Sequence, residues 1–173
     1  KQDPDRAREL GINAEEMATW RDAAAAMAIP YDEEMGVHPQ SAGFTRHARW
    51  DFEACGEEQY PLFLHFPYFD LYRKQVIKQA DLVLAMLWYG DRFSPQDKAR
   101  NVDYYEPRTV RDSSLSACIQ AVLAAEVGHL GLAHDYTYEA ALIDLHDLHD
   151  NTGDGLHIAS LAGAWIALVS GFG

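Results

Sequence analysis

Apolar residues recurring three and four places apart constrain this chain most, because that spacing leaves room for helices and little else. Val76, Ala80, Val83 and Leu87 repeat in this way and Gly90 follows as a stop, which predicts a helix over Leu71 to Tyr89. Ala14 to Ala28, rich in Ala and Met and ending on the approach to Pro30, predicts another. Ser94 reads as the cap of a helix running through Val102, with Pro95 in its first position. Ser113 or Ser114 opens the next, with Leu115, Ile119 and Val122 as its stripe and Gly128 as its end. Leu130 to Leu145 follows. Leu156 to Val169 closes the chain, with Ile158, Leu161, Trp165 and Leu168 sharing a face. No run alternates convincingly with the period of two that a half-buried strand shows. The expected fold is all-α, with about six helices in a bundle or toroid. Sharp breaks fall at Gly36 to Gly43 and at Gly153-Asp154-Gly155. Ile29 to His65 is expected to be long irregular loops, and loops of that length are usually functional.

Hydrophobic residues make up 48% of the 173 positions and charged residues 24%, the balance of a globular protein. With 27 Asp and Glu against 14 Lys and Arg, the net charge is −13. Such a surface repels phosphate backbones and anionic lipid, so nucleic acid and membrane are not expected partners. The most apolar stretch, Leu161 to Val169, is well short of the roughly 20 residues that span a bilayer. Lys1 to Arg8 is charged throughout, unlike a signal peptide. Cys55 and Cys118 are too few for a disulfide framework, which suits the reducing cytoplasm expected as its location. The chain opens without Met and stops just after a helical pattern, so it is expected to be part of a longer protein.

Four clusters could carry chemistry. Lys78-Gln79-Ala80-Asp81 offers donors and an acceptor to sugar hydroxyls, or is a solvated strip on an amphipathic helix. Asp103-Tyr104-Tyr105-Glu106-Pro107 through Arg111-Asp112-Ser113-Ser114 reads as a loop placing rings beside carboxylates, as carbohydrate sites need. Capping by Asp112 or Ser113 and packing of the tyrosines explains it equally well. Asp144, His146, Asp147, His149 and Asp150 have metal-like spacing, yet they fall where a helix ends and polar residues are commonly solvated. Asn151 to Ser160 runs from glycines into a helix start, whose free N–H groups suit an anion such as phosphate. His157 and Ser160 are three apart and can face one ligand. The competing reading makes Asp154 a plain N-cap that already occupies those donors.

Taken together, Lys78 to Asp81, Asp103 to Pro107, Asp112 to Ser116 and Thr152 to Ser160 resemble, in order and spacing, glycoside hydrolase family 65, the maltose, trehalose and kojibiose phosphorylases. The resemblance covers about Tyr31 to Gly173. It implies that residues 1–173 are the C-terminal half of a catalytic (α/α)6 barrel, without the family's N-terminal β-sandwich and completed by a missing half-barrel of the same protein. It implies cleavage of an α-glucoside disaccharide with inversion, inorganic phosphate as co-substrate and β-glucose 1-phosphate as product. No metal or organic cofactor is implied, and family phosphorylases are often homodimers. Lys78 and Gln79 would hold the glucose, Glu106 would line the acceptor subsite, and Thr152, His157 and Ser160 would take the phosphate. The family's general-acid Glu lies in a Gly-Pro-Asp-Glu-Tyr run that these residues lack; it is expected upstream of Lys1, leaving the isolated chain inactive. The family also contains hydrolases, in which a second carboxylate activates water; Glu106 and Asp154 are the candidates here.

Overall fold

The computed structural model describes residues 3–79, 81–110 and 112–173, so Ala80 and Arg111 of the motifs above lie outside the described residues. It divides into two compact units, one ending at Pro30 and one running from Tyr31 to Gly173. In the first, Asp3 caps α1 (Pro4–Glu9), its carboxylate accepting the Arg6 N–H at 3.0 Å. Asn13 caps α2 (Ala14–Ala25) by accepting the Glu16 N–H at 2.9 Å. The second helix stops three residues earlier than expected.

The second unit starts with the anticipated irregular segment. It contains single turns at Phe44–Arg46 and Glu57–Gln59, a two-residue strand β1 (Ala48–Arg49) and a one-turn helix α3 (Leu62–His65). The helix expected over Leu71 to Tyr89 is not continuous. Helix α4 (Tyr68–Leu71) ends at its start, β2 (Lys74–Gln75) pairs in parallel with β1, and only the second half is helical, as α5 (Asp81–Trp88). The cause is backbone pairing over a long sequence separation. Ile77 donates its N–H to Arg108 O, and its carbonyl accepts the Val110 N–H, each at 2.9 Å. Val76 and Ile77 are β-branched and favour the extended backbone this requires.

Helix α6 (Pro95–Tyr105) begins at the predicted cap, where Ser94 Oγ accepts the Asp97 N–H at 3.1 Å and the Asp97 carboxylate accepts the Ser94 N–H at 3.3 Å. It continues past Val102, so Tyr104 and Tyr105 belong to a helix and are buried, rather than presented on a loop for sugar stacking. Helix α7 (Ser116–Glu126) is the centre of the unit: every residue from Ser116 to Ala124 except Ile119 is buried. Of the predicted stripe, Val122 is buried, Ile119 is half-buried against the core and Leu115 is exposed, so burial extends well beyond one face. Gly128 ends the segment with φ +93°, a left-handed conformation that suits glycine.

Helix α8 (Leu130–Leu142) and helix α9 (Ile158–Ile166), which runs into a π turn at Ala167–Gly171, both pack on α7. The face of α9 turned inward is the small one, with Ser160, Gly163, Ala164 and Ala167 buried. The predicted face of Ile158, Leu161, Trp165 and Leu168 is exposed, Trp165 at 67%. Close helix approach demands small side chains at the contact, which is why the bulky face points elsewhere. A Cβ at Gly163 would stand 2.4 Å from Cys118 Sγ and 2.6 Å from its Cβ. Gly163→Ala is expected to gain about 0.5–1 kcal/mol of helix propensity but to lose about 1–3 kcal/mol by overpacking. Urea unfolding should therefore show a net loss of about 1 kcal/mol.

Candidate active site

A cavity of about 530 Å3 opens where β2 leads into α5, lined by Gln40, Ser41, Phe44, Lys78, Gln79 and Ser113 among others. The same long-range pairing that interrupts the predicted helix positions it, because it turns Lys78 and Gln79 out of the backbone ladder beside the loop before α7. Ser113 Oγ donates to Gln79 Oε1 at 3.0 Å, and Gln79 Nε2 donates to Asp81 Oδ1 at 3.1 Å. Gln79 is thus held as a fixed donor–acceptor plate, while Lys78 is exposed with its ammonium 5.9 Å from the Phe63 ring centroid. Lys78 and Gln79 are neighbours on the cavity wall, not on a helix face as the amphipathic reading supposed.

Asp112, one residue before Ser113 of this cavity, turns to the start of α3. Its carboxylate accepts the Phe63 N–H at 3.2 Å. Burial pushes its pKa above the usual carboxylate value, against the opposing pull of that N–H and of the nearby Lys78 and His149 charges. The residue the sequence offered as a helix cap is therefore a half-buried carboxylate that holds the Phe63 amide, and it does not cap α7.

The turn itself is set by carboxylates. Asp147 and Asp150 adopt left-handed backbone, with φ +48° and +51°. Asp147 Oδ1 accepts the N–H of both Asn151 and Thr152 at 3.0 Å, and these backbone bonds, with the Thr152 hydroxyl, hold its pKa below the ordinary value. Asp144 Oδ1 lies 2.6 Å from His157 Nδ1, and Asp144 Oδ2 accepts the His157 N–H at 2.9 Å. The Asp144 side chain is 7% exposed and that of His157 17%; the His157 hydrogen bond holds the Asp144 pKa low. The rings of His149 and His157 meet edge to face, 6.1 Å apart.

Asp154 does not cap the last helix. It sits in a separate turn, Thr152–Asp154, and α9 has His157 at its N-cap with no side-chain bond to its first turn. The amide ends of α9 are consequently not taken by Asp154, though Thr152 N–H and His157 N–H are already used by Asp147 and Asp144. Ser160 is fully buried at the α8–α9 contact, its Oγ donating to Ala140 O at 3.4 Å. Glu106 is also apart from the Lys78 cavity. It accepts from the Tyr136 hydroxyl and from Gln120 Nε2 (2.9 Å), and it lines a different hollow with Asp103 and His129. Among the described residues, no three His, Cys, Asp or Glu side chains converge as a metal ion requires, and the His146 to Asp150 run is a turn instead.

The unit thus carries a polar cavity of amide, ammonium and hydroxyl groups and a turn that holds a histidine by its ring and its backbone. Residues 1–166 match the Glycosyl hydrolase family 65 central catalytic domain, and the chain belongs to that family. It is 69% identical over 170 residues to an uncharacterized glycosyl hydrolase of Mycobacterium leprae (strain TN), covering 98% of this chain and 21% of that protein. It is 44% identical over 163 residues to the alpha,alpha-trehalose phosphorylase of Geobacillus stearothermophilus, covering 94% and 21%. A solved structure assigned as a kojibiose phosphorylase from the human microbiome superposes with a TM-score of 0.86 at 35% identity, over 96% of this chain and 22% of that one. The chain spans about a fifth of the length of the curated relatives it matches. The all-α fold is thus consistent with part of an (α/α)6 barrel. Among the described residues no helix is long and apolar enough to cross a membrane.

Proposed function

We propose that this chain supplies part of the active site of an inverting disaccharide phosphorylase that converts an α-glucoside of trehalose, maltose or kojibiose type, with inorganic phosphate, to β-glucose 1-phosphate and a free sugar. The observations that support the reading are the Lys78 cavity, where Ser113 holds the Gln79 amide, and the separate turn in which Asp144 holds His157 by its ring and its backbone. Lys78 and Gln79 bind glucose hydroxyls. Thr152 and His157 receive phosphate, while Ser160 supports the helix that carries them. A phosphate oxygen bonds to the anomeric carbon as the glycosidic C–O bond breaks, and a general-acid Glu outside these residues protonates the departing oxygen.

The bulky face of α9, with Trp165 and Leu168, is covered by the rest of the barrel in the longer protein, and the isolated chain, which lacks the general-acid Glu, is inactive. With Cys55 and Cys118 unpaired, the cytoplasm is the proposed location. The test is product release from trehalose, maltose and kojibiose by the full-length protein, with and without phosphate. Glucose 1-phosphate formed only with phosphate supports the proposal. Free glucose formed regardless of phosphate assigns a hydrolase, with His157 reduced to a structural role.

A further inference from the structure

The carboxylate of Asp144 spends both oxygens on one residue, gripping the ring and the backbone of His157 together. Thirteen residues separate the two, and the left-handed turn at Asp147 and Asp150 brings them back into contact. That double contact fixes the position of the residue as well as the rotation of its ring. We infer that Asp144 is a positioning residue, which keeps a proton on His157 Nδ1 and so leaves Nε2 as the ring atom presented to phosphate. The inference rests on the phosphate assignment of His157 made above.

The chemistry of an amide makes the role testable. In Asp144→Asn the backbone N–H of His157 remains a donor and can only face the amide oxygen. The amide NH2 then confronts Nδ1, which must become an acceptor, and the proton moves to Nε2. The side chain keeps its size and loses its charge, while the histidine is left in the opposite tautomer. The other charged or titratable groups around the ring are His149, Asp147 and, beyond them, Asp112 with Lys78, and none of these reaches Nδ1 with a hydrogen bond.

The experiment is a double-mutant cycle in the full-length enzyme, comparing Asp144→Asn, His157→Ala and the pair, with phosphate and disaccharide varied separately. Asp144→Asn is expected to raise KM for inorganic phosphate about tenfold or more, the usual worth of a group that orients a histidine through its second nitrogen. The disaccharide KM stays within about twofold, and the double variant is no worse than His157→Ala alone, because Asp144 acts only through that ring. Additive losses, or equal losses toward both substrates, overturn the positioning role. If His157→Ala leaves phosphate KM unchanged, the phosphate assignment itself falls and this inference with it. Should Asp144→Asn fail to accumulate folded, Asp144→Glu, which keeps the charge but displaces it by a methylene, is read in the same cycle with the same outcomes.

Discussion

Replacing Gln75 with alanine is expected to cost about 3 kcal/mol of folding stability, from the usual worth of hydrogen bonds to buried charged groups. Gln75 is 6% exposed and its amide is fully used. Nε2 donates to Thr45 O at 3.0 Å and to His47 O at 2.7 Å, while Oε1 accepts from the Tyr104 hydroxyl at 2.9 Å and from Arg108 Nε at 2.7 Å. Arg108 is equally buried, and burial already draws its pKa below the ordinary guanidinium value. It retains the Tyr104 carbonyl and a stacking contact 3.8 Å from the Tyr104 ring centroid, but neither serves Nε. Truncation therefore leaves the buried Arg108 Nε without its acceptor and removes the bonds to the Tyr104 hydroxyl and to two half-buried carbonyls, so the loss exceeds that of the packing volume alone. Urea unfolding measures it. The same change at exposed Lys78, three residues on, should stay within about 0.5 kcal/mol. A similar loss at both positions would mean that the β1–β2 segment is held by its backbone pairing and not by this amide.

That network also explains which parts of the fold were legible. The start of α2, the Ser94 cap of α6, the irregular segment from Ile29, and the glycine stop at Gly128 were readable because each depends on residues a few places apart. The segment from Lys74 to Ile77 was misread because its partners are Ala48, Arg49 and Arg108 to Val110, some 26 to 33 residues away. A chance i+4 and i+3 spacing of Val76, Ala80, Val83 and Leu87 then looked helical across a real break. The face of α9 was misassigned for a related reason. Hydropathy ranks Trp165 and Leu168 as core, but burial depends on which neighbour is present, and the neighbour here, α7, accepts only small side chains near Gly163.

The candidate site divides in the same manner. Lys78, Gln79 and Ser113 could be found as polar interruptions, but their meeting in one cavity depends on the Ile77 pairing some 30 residues away, which the sequence did not show. The Asp144–His157 pair could not, since the sequence shows only a string of Asp and His with metal-like spacing. What chooses between a metal cluster and a pinned turn is the left-handed backbone at Asp147 and Asp150, which aims Asp147 at amides and Asp144 at a ring. Glu106 looked available for a substrate because nothing local shows that Tyr136, thirty residues on, donates to it.

The largest effect on activity is expected from His157→Ala, and its meaning depends on a contrast with Lys78→Ala. A hydrogen bond to a charged ligand is worth about 1.5–3 kcal/mol, so losing the imidazole should raise KM for phosphate about 10- to 100-fold. The disaccharide KM should change little, because Lys78 remains in its own cavity beside Gln79, which Ser113 and Asp81 hold. Lys78→Ala should do the reverse, lowering kcat/KM for the disaccharide by a comparable factor while sparing phosphate KM. Initial rates with each substrate varied in turn in the full-length protein measure both. The separation holds only if Asp112, which feels the charges of Lys78 and of His149, does not transmit one loss to the other. Should both variants weaken both substrates alike, the two clusters act as one electrostatic unit centred on Asp112. The assignment of sugar to Lys78 and phosphate to His157 would then give way to a shared subsite. A clean split makes the half-buried carboxylate a wall between two subsites, held in place by the Phe63 amide.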